Sequence, residues 1–331
     1  MSSDNPLVSV ILPHYNRAHL LRITLAALAA QNYAPIEVIL SDDASTDDSR
    51  QVAASMGTTV VHSPVNRGPS AARNRGAEHA KGDILLFVDS DIALDPDAVG
   101  NTVTMLRDHP ELGAVGGILR PESLHSRTPA ARYRAVQMYK WWMPTHRPTL
   151  ELHSCLIAVP AKVYAQIGGF NENLREIESA DYRNRLADNY PVKITDVVSG
   201  RHEHDHRVGM ILRKVFIRAR ASTIAWRKGE LPGDSLPRAI GGVLLVGAVA
   251  ALPLPALLGP VGAIPSAALA ATGVALDAGT YRHAFASEGP VFGVYFSGVH
   301  VLVTLAGTIG GGLGVLQRVL TRPRRPALQA G

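Results

Sequence analysis

Apolar residues in the first third of the chain fall into short runs separated by segments of helical period. Val8 to Leu12 (VSVIL) predicts a buried strand, and Leu20, Leu21, Leu25 and Leu28 share one face of a helix expected over about 18–31. The alternation continues with strands over 36–40, 58–62, 84–88 (ILLFV) and 112–116, and helices over 46–56, 70–81 and 97–108. Strands alternating with helices through short connections predict an α/β domain: a doubly wound, mainly parallel sheet flanked by helices. Ligands of such sheets bind beyond the carboxyl ends of the strands. Three of those ends are polar here: Pro13-His14-Tyr15-Asn16, Asp42-Asp43 and Asp89-Ser90-Asp91.

The pattern changes beyond residue 226. Ala239 to Leu276 contains no charged residue, and neither does Gly289 to Gln317. A hydrocarbon core of about 30 Å needs roughly 20 helical residues. The first run is long enough for a tight pair of spans broken at Pro253, Pro255, Gly259 and Pro260, and the second for one. The expected organisation is a domain over 1–226, divided near 120, a basic linker over 227–238, a membrane region of two to three segments over 239–317, and a basic tail over 318–331. Arg227, Lys228 and Arg238 precede the apolar region, and Arg318 to Arg325 follow it. The positive-inside rule places both flanks in the cytosol and so requires an even number of spans. The alternative is a soluble protein whose tail is a helical core, but soluble helices need a polar face that these runs lack. The polar segment Met1 to Pro6 does not have the pattern of a leader, so the domain is expected to be cytosolic.

Composition narrows the classes further. The chain has 331 residues, a formal charge of +5 and 18% charged residues, against about 25% in ordinary globular domains. The single cysteine, Cys155, excludes an internal disulfide and cysteine-rich metal sites. No glycine-rich dinucleotide fingerprint follows the first strand, and no P-loop occurs. Val208 to Trp226 reads as an amphipathic helix with Arg213, Lys214, Arg218 and Arg220 around its apolar face, suited to an anionic membrane surface or to packing on the domain. Basic residues gathered in one such stretch, with no reading motif, disfavour a nucleic-acid partner.

Asp89 and Asp91 sit directly after a strand, and two converging carboxylates suit a hard cation such as Mg²⁺ or Mn²⁺. A lone Asp-x-Asp is as well explained by a solvated turn or helix cap. The ordered series VSVILPHYN (8–16), VILSDDASTD (38–47), NRGPSAARN (66–74) and FVDSD (87–91), continued by GGFNE (168–172) and ESADYRNRL (178–186), resembles the family 2 glycosyltransferases of the GT-A fold, over about residues 7–226. The hydrophobic tail resembles members with C-terminal membrane helices. The resemblance implies a nucleotide-sugar donor, with a UDP-sugar favoured, and transfer with inversion. It implies that Asp43 accepts a hydrogen bond from the base, that Pro13, Tyr15 and Asn16 shape the base and ribose pocket, and that Arg73 lies near the diphosphate or sugar. Asp91 becomes the principal ligand of Mg²⁺ or Mn²⁺, with Asp89 near the ribose and metal. Of the histidines in Arg201-His-Glu-His-Asp-His206, His204 is the expected C-terminal metal ligand and His206 the second choice. A zinc site and a solvated loop are the other readings of that stretch.

The acidic pair that supplies the general base in the family reads Glu178-Ser179 here. Three outcomes are open. Glu178, or else Glu176 or Asp181, takes the proton; or the acceptor is already nucleophilic; or the protein is a weak or inactive nucleotide-sugar-binding scaffold. The Gln-x-x-Arg-Trp motif of processive synthases does not occur between Glu178 and the first apolar run; the similar Gln137-Met-Tyr-Lys-Trp141 lies on the wrong side of Glu178. Transfer of one sugar to a lipid-linked, glycan or other membrane-proximal acceptor is therefore expected.

Overall fold

The computed structural model describes residues 5–142, 152–174, 177–225 and 235–321. Glu176, Trp226, Arg227, Lys228 and the arginines at 322, 324 and 325 lie outside these residues. The chain divides into two compact units, residues 1–206 and 207–331.

The first unit is built on one eight-stranded sheet. In chain order its elements are β1 (Val8–His14), α1 (Ala18–Ala29), β2 (Ile36–Asp43), α2 (Ser49–Ser55), β3 (Thr59–Ser63), α3 (Pro69–Glu78), β4 (Ile84–Val88), β5 (Ile92–Leu94), α4 (Ala98–Asp108), β6 (Ala114–Leu119), α5 (Pro129–Trp142), β7 (Leu156–Pro160), α6 (Ala161–Ile167), α7 (Glu178–Ala187) and β8 (Val192–His202). The strand order is β3-β2-β1-β4-β7-β6-β8-β5. The β3-β2-β1-β4 half is parallel throughout, as the alternation predicts. Beyond β4 the sheet is mixed: β7 runs antiparallel to β4 and β6, β6 and β8 are parallel, and β5 is antiparallel to β8.

Burial explains the apolar runs. Every residue of β1 and β4 is buried, because helices cover both faces of the central strands. Leu20, Leu21, Leu25 and Leu28 of α1 are buried as their spacing predicts. Deleting such a side chain costs about 2–5 kcal/mol. Gly76 of α3 packs so closely on β1 that a Cβ there would meet Ile11 Cγ2 at 2.5 Å. That contact fixes the height of α3, and hence of Arg73, over the strand ends.

The second unit is helical: α8 (Val208–Ala225), α9 (Ser235–Ala250), α10 (Leu254–Leu258), a 3-10 turn (Gly259–Gly262), α11 (Ala263–Ala275), α12 (Ala278–Glu288) and α13 (Pro290–Thr321). The division at His206/Arg207 places α8 with these helices. It packs along α13, where a Cβ at Gly310 would collide with the Phe216 carbonyl and where Arg220 Nη2 donates to Gln317 Oε1 at 2.7 Å. The prolines and glycines at 253–260 form the expected break. Two helical stretches, Leu254–Ala275 and Pro290–Leu320, are long and apolar enough to cross a membrane, and Leu236–Ala250 is shorter. Their apolar side chains are outward in large part: Leu257 is 78% and Val291 88% exposed.

Candidate functional site

A cleft of about 630 Å³ opens at the carboxyl ends of β1, β2 and β4, and Pro13, Tyr15, Asn16, Asp43, Asp89 and Asp91 all line it. Of the two acids ending β2, Asp42 is turned inward, fully buried against His62 Nδ1 at 2.8 Å. Asp43 is the one on the cleft wall. Its Oδ2 accepts from the amides of Arg67 at 3.0 Å and Gly68 at 2.7 Å, and Arg75 Nη2 lies 3.4 Å from Oδ1. Gly68 makes this possible: at φ 93° it turns the chain into α3 while its own N–H faces the carboxylate. Two amides on one oxygen hold Asp43 rigidly, while a carboxylate retains further acceptor positions.

Tyr15 is 52% exposed and offers its ring to the cleft. Asn16 and Arg17 both take the left-handed conformation, at φ 56° and 67°. Asn16 is spent on the scaffold, since its Oδ1 accepts from Thr46 N at 2.9 Å and its own N–H donates to Ser45 Oγ at 2.8 Å. It joins the β1–α1 and β2–α2 loops, so it shapes the pocket through the backbone.

Asp89, Ser90 and Asp91 form the turn between β4 and β5. The Arg73 guanidinium, 3% exposed, donates from Nη2 to Asp89 Oδ1 at 2.6 Å, and its Nη1 stands 3.9 Å from Glu178 Oε1. Among the described residues, Arg73 Nε and Nη1 are buried without a hydrogen-bond partner. A buried cation with unused donors beside a cleft favours an anionic ligand. Asp91 lies between two cations or potential cations: Arg17 Nη1 is 3.3 Å from Oδ2 and His202 Nε2 is 3.4 Å from Oδ1. Burial works to raise the Asp91 carboxyl, but His202 and Arg17 outweigh it and hold the group below the ordinary carboxylate range.

The histidine beside Asp91 is therefore His202, not His204. Antiparallel pairing sets this: β5 and β8 align Ile92 with His202, which carries His202 to the residue next to Asp91. His204 is buried one step behind, with its Nδ1 3.3 Å from that of His202 and the rings in edge contact. His206 falls at the end of the unit. Its carbonyl accepts from Thr128 Oγ1 at 3.1 Å.

At the start of α7 the expected acids separate. Glu178 and Arg73 stand just outside the residues that line the cleft, Glu178 beside Arg73 and Arg73 bonded to Asp89 on the wall. Ser179 bonds to Ser154, Oγ to Oγ at 2.7 Å, so the residue in the place of the family's aspartate closes a small structural contact. Asp181 is not among the cleft-lining residues. It pairs with Arg185 at 3.0 Å, and Arg185 in turn donates to the carbonyls of Ile167 and Gly169 at 2.9 and 2.8 Å. Cys155 presents its carbonyl to Asp89 N at 2.9 Å, and burial pushes its thiol far above the ordinary value, which disfavours the thiolate.

No three His, Cys, Asp or Glu side chains among the described residues form a ready-made metal cage. The donor set nevertheless fits a divalent cation, which binds through one or two carboxylates and completes its shell with water and phosphate. Here Asp91 stands beside His202, and Asp89, two residues away in the same turn, pairs with Arg73. Sequence reasoning missed His202 and Arg17. The His-rich stretch held the signal for the first, but only strand register says which histidine faces the acids.

Residues 9–168 match the family model described as Glycosyl transferase family 2. The chain is similar to an uncharacterized glycosyltransferase of Haemophilus influenzae, 37% identical over 110 residues that cover 31% of this chain and 44% of that protein. It is also similar to validoxylamine A glucosyltransferase of Streptomyces hygroscopicus subsp. limoneus, 30% identical over 207 residues covering 52% and 45%. The chain thus spans about half the length of the curated relatives it matches. Among solved structures it is similar in fold to mannosyltransferase PcManGT from Pyrobaculum calidifontis in complex with GDP-Man and Mn²⁺, with a TM-score of 0.58 and 22% identity over 93% of this chain and 88% of the other.

Proposed function

Because this chain carries a family 2 glycosyltransferase domain of GT-A fold, we propose that it transfers one sugar from a nucleotide-sugar, UDP-linked in the favoured reading, to an acceptor at a membrane surface. The observation that carries this reading is the gathering of Tyr15, Asp43, Asp89 and Asp91 about one cleft at the strand ends, with Arg73 bonded to Asp89 behind the wall. Tyr15 stacks on the base and Asp43 accepts its imide proton. Arg73 directs its unused N–H groups at the diphosphate. Asp91, with His202 beside it, and Asp89 would hold Mg²⁺ or Mn²⁺, and the cation would supply charge neutralisation for the leaving nucleoside diphosphate.

Glu178 serves as general base. The acceptor oxygen forms a bond to the anomeric carbon as the bond to the diphosphate oxygen breaks, and the hydroxyl proton passes to the Glu178 carboxylate. A single displacement inverts the anomeric configuration. Arg73 lies near both Asp89 and Glu178, so one guanidinium orients the base and the donor-side acid. The apolar stretches Leu254–Ala275 and Pro290–Leu320, with the shorter Leu236–Ala250, anchor the chain in the membrane, which favours a lipid-linked or envelope-glycan acceptor. Ser179 supports a second reading, a nucleotide-sugar-binding scaffold without turnover, because its hydroxyl is bonded to Ser154 and cannot act as a carboxylate.

The test is release of nucleoside diphosphate by the detergent-purified chain given UDP-, GDP- and dTDP-sugars, Mn²⁺ or Mg²⁺ and membrane lipid extract. GDP-mannose belongs in the panel because a protein of like fold holds GDP-Man with Mn²⁺. Release from one donor, abolished by Glu178→Gln while donor binding persists, is the expected result. Binding without release for every donor and acceptor favours the scaffold.

A further inference from the structure

His14, the last residue of β1, is 3% exposed and, like Ser90, borders the cleft beside the acidic turn. Its Nδ1 lies 2.7 Å from Ser90 Oγ, and its Nε2 lies 2.7 Å from Ser49 Oγ at the start of α2. The hydrogen-bond directions follow from the far end. Ser49 Oγ donates to Asp47 Oδ1 in a short bond, and the Asp47 carboxylate also accepts from Ser49 N at 3.1 Å and Ala18 N at 3.0 Å. A carboxylate accepts only, so the Ser49 proton is committed to Asp47. Its oxygen must then receive the Nε2–H of His14, and the bare Nδ1 receives the proton of Ser90. Burial lowers the pKa of His14, in keeping with a neutral ring. The result is a directed chain from Ser90 through His14 and Ser49 to Asp47.

Ser90 stands between the two carboxylates assigned to the cation and diphosphate. Its hydroxyl is held by His14, and its carbonyl accepts from Thr24 Oγ1 at 3.0 Å. The turn is closed by Ile92 N donating to Asp89 O at 3.0 Å. Neither His14 nor Ser90 has a side-chain atom assigned to the donor, yet the Ser90 hydroxyl is the hold on this turn that depends on a buried imidazole from another strand.

We propose that His14 is a positioning residue: through Ser90 it fixes the Asp89–Asp91 turn in the arrangement that receives the cation and diphosphate. The proposal rests on the functional reading above. Partners behind a metal ligand typically change metal affinity about 10–100-fold. The geometry also separates the two ring nitrogens. An asparagine amide reaches the place of Nδ1, whereas a glutamine amide reaches that of Nε2. His14→Asn keeps the bond to Ser90, and His14→Gln keeps the bond to Ser49.

The experiment uses the full chain in detergent with three readouts: the melting temperature, the affinity for UDP with Mn²⁺, and hydrogen exchange across residues 89–92 in the ligand-free protein. The expected result is about tenfold weaker binding and faster exchange in His14→Gln and in Ser90→Ala. His14→Asn should stay within about threefold of wild type, although it melts no higher than His14→Gln. Equal binding and exchange in the Asn and Gln variants would make His14 a space-filling residue and overturn the proposal. Wild-type protein that binds no UDP with Mn²⁺ would overturn the functional reading instead, while the exchange comparison still decides whether His14 orders the turn.

Discussion

The two sides of the cleft are built differently. On the strand-end side Asp43, Asn16, Asp89 and Asp91 are each tied to neighbouring residues, while Tyr15 stands half exposed in the cleft. Asp43 has two backbone amides, Asn16 bridges two loops, and Asp89 and Asp91 face Arg73, Arg17 and His202. On the α7 side Glu178 stands 3.9 Å from Arg73, and its neighbour is a serine bonded elsewhere. The first side is organised before any ligand arrives, as electrostatic preorganisation requires. Under the proposed function the preorganised side is the donor's and the α7 side the acceptor's.

Substitutions can break that contrast, and the largest effect belongs to the strand-end side. Asp91→Asn removes a charge that two neighbouring groups stabilise. Turnover should fall by at least about 100-fold, with loss of the Mn²⁺ requirement for donor binding, measured by nucleotide release and calorimetry. Glu178→Gln comes next. General-base catalysis contributes about 10²–10⁴-fold, so turnover should drop by about 100-fold while donor affinity stays within about threefold. That split between rate and binding would sharpen the division between the two sides; equal losses in both would erase it.

A smaller effect concerns pH. His14 is held neutral by burial, which outweighs the attraction of Asp42, Asp47 and Asp91 and is aided by Arg17. The unfolded chain takes up a proton at this residue near the ordinary value of 6.5, and the folded chain does so only at lower pH. Between those two values the unfolded state binds more protons, so folding stability declines as pH falls below about 6.5. Urea unfolding at pH 7.5 and 5.5 should show this decline, and His14→Asn should lessen it. The smallest effect is expected at Asp181. Its ion pair with Arg185 is partly exposed and of the i,i+4 kind, worth about 0.3–0.5 kcal/mol. Asp181→Asn should leave turnover intact and cost little in melting temperature. A large loss of rate would bring Asp181 into the chemistry and displace Glu178.

The same contrast governs what the sequence made legible. The parallel half of the sheet follows from runs such as VSVIL and ILLFV, because strands covered on both faces write burial directly into the chain. The strands β5, β7 and β8 do not announce themselves. β5 has three residues, and β8 mixes Lys193, Asp196, Ser199 and Arg201 into a strand whose pairing with β6 shifts between Gly117 and Ile118. An interrupted register destroys the period-two signal. For that reason the stretch 201–206 pointed to a histidine near the acids, while His202 required the Ile92 pairing. Asp43, Asp89 and Asp91 were legible because strand ends in an α/β sheet converge by topology alone. The roles of Arg17 and His14 depend on loop conformation and on contacts across 74 and 76 residues of sequence. The apolar tail was readable as helices with a proline break, but α8 belongs with those helices because of a close approach to Gly310 that periodicity does not encode.

The central claim is that the acidic turn and Asp43 together form a cation-dependent nucleotide-sugar site. Calorimetric titration of the detergent-purified chain with UDP-sugar, with and without Mn²⁺, tests it most directly when wild type is compared with Asp91→Asn and Asp43→Asn. The account predicts Mn²⁺-dependent binding in wild type, loss of the Mn²⁺ dependence in Asp91→Asn, and roughly tenfold weaker binding that keeps the Mn²⁺ dependence in Asp43→Asn, from the loss of a charged hydrogen bond of about 1.5 kcal/mol. Binding that ignores Mn²⁺ in wild type, or that neither substitution changes, would contradict it.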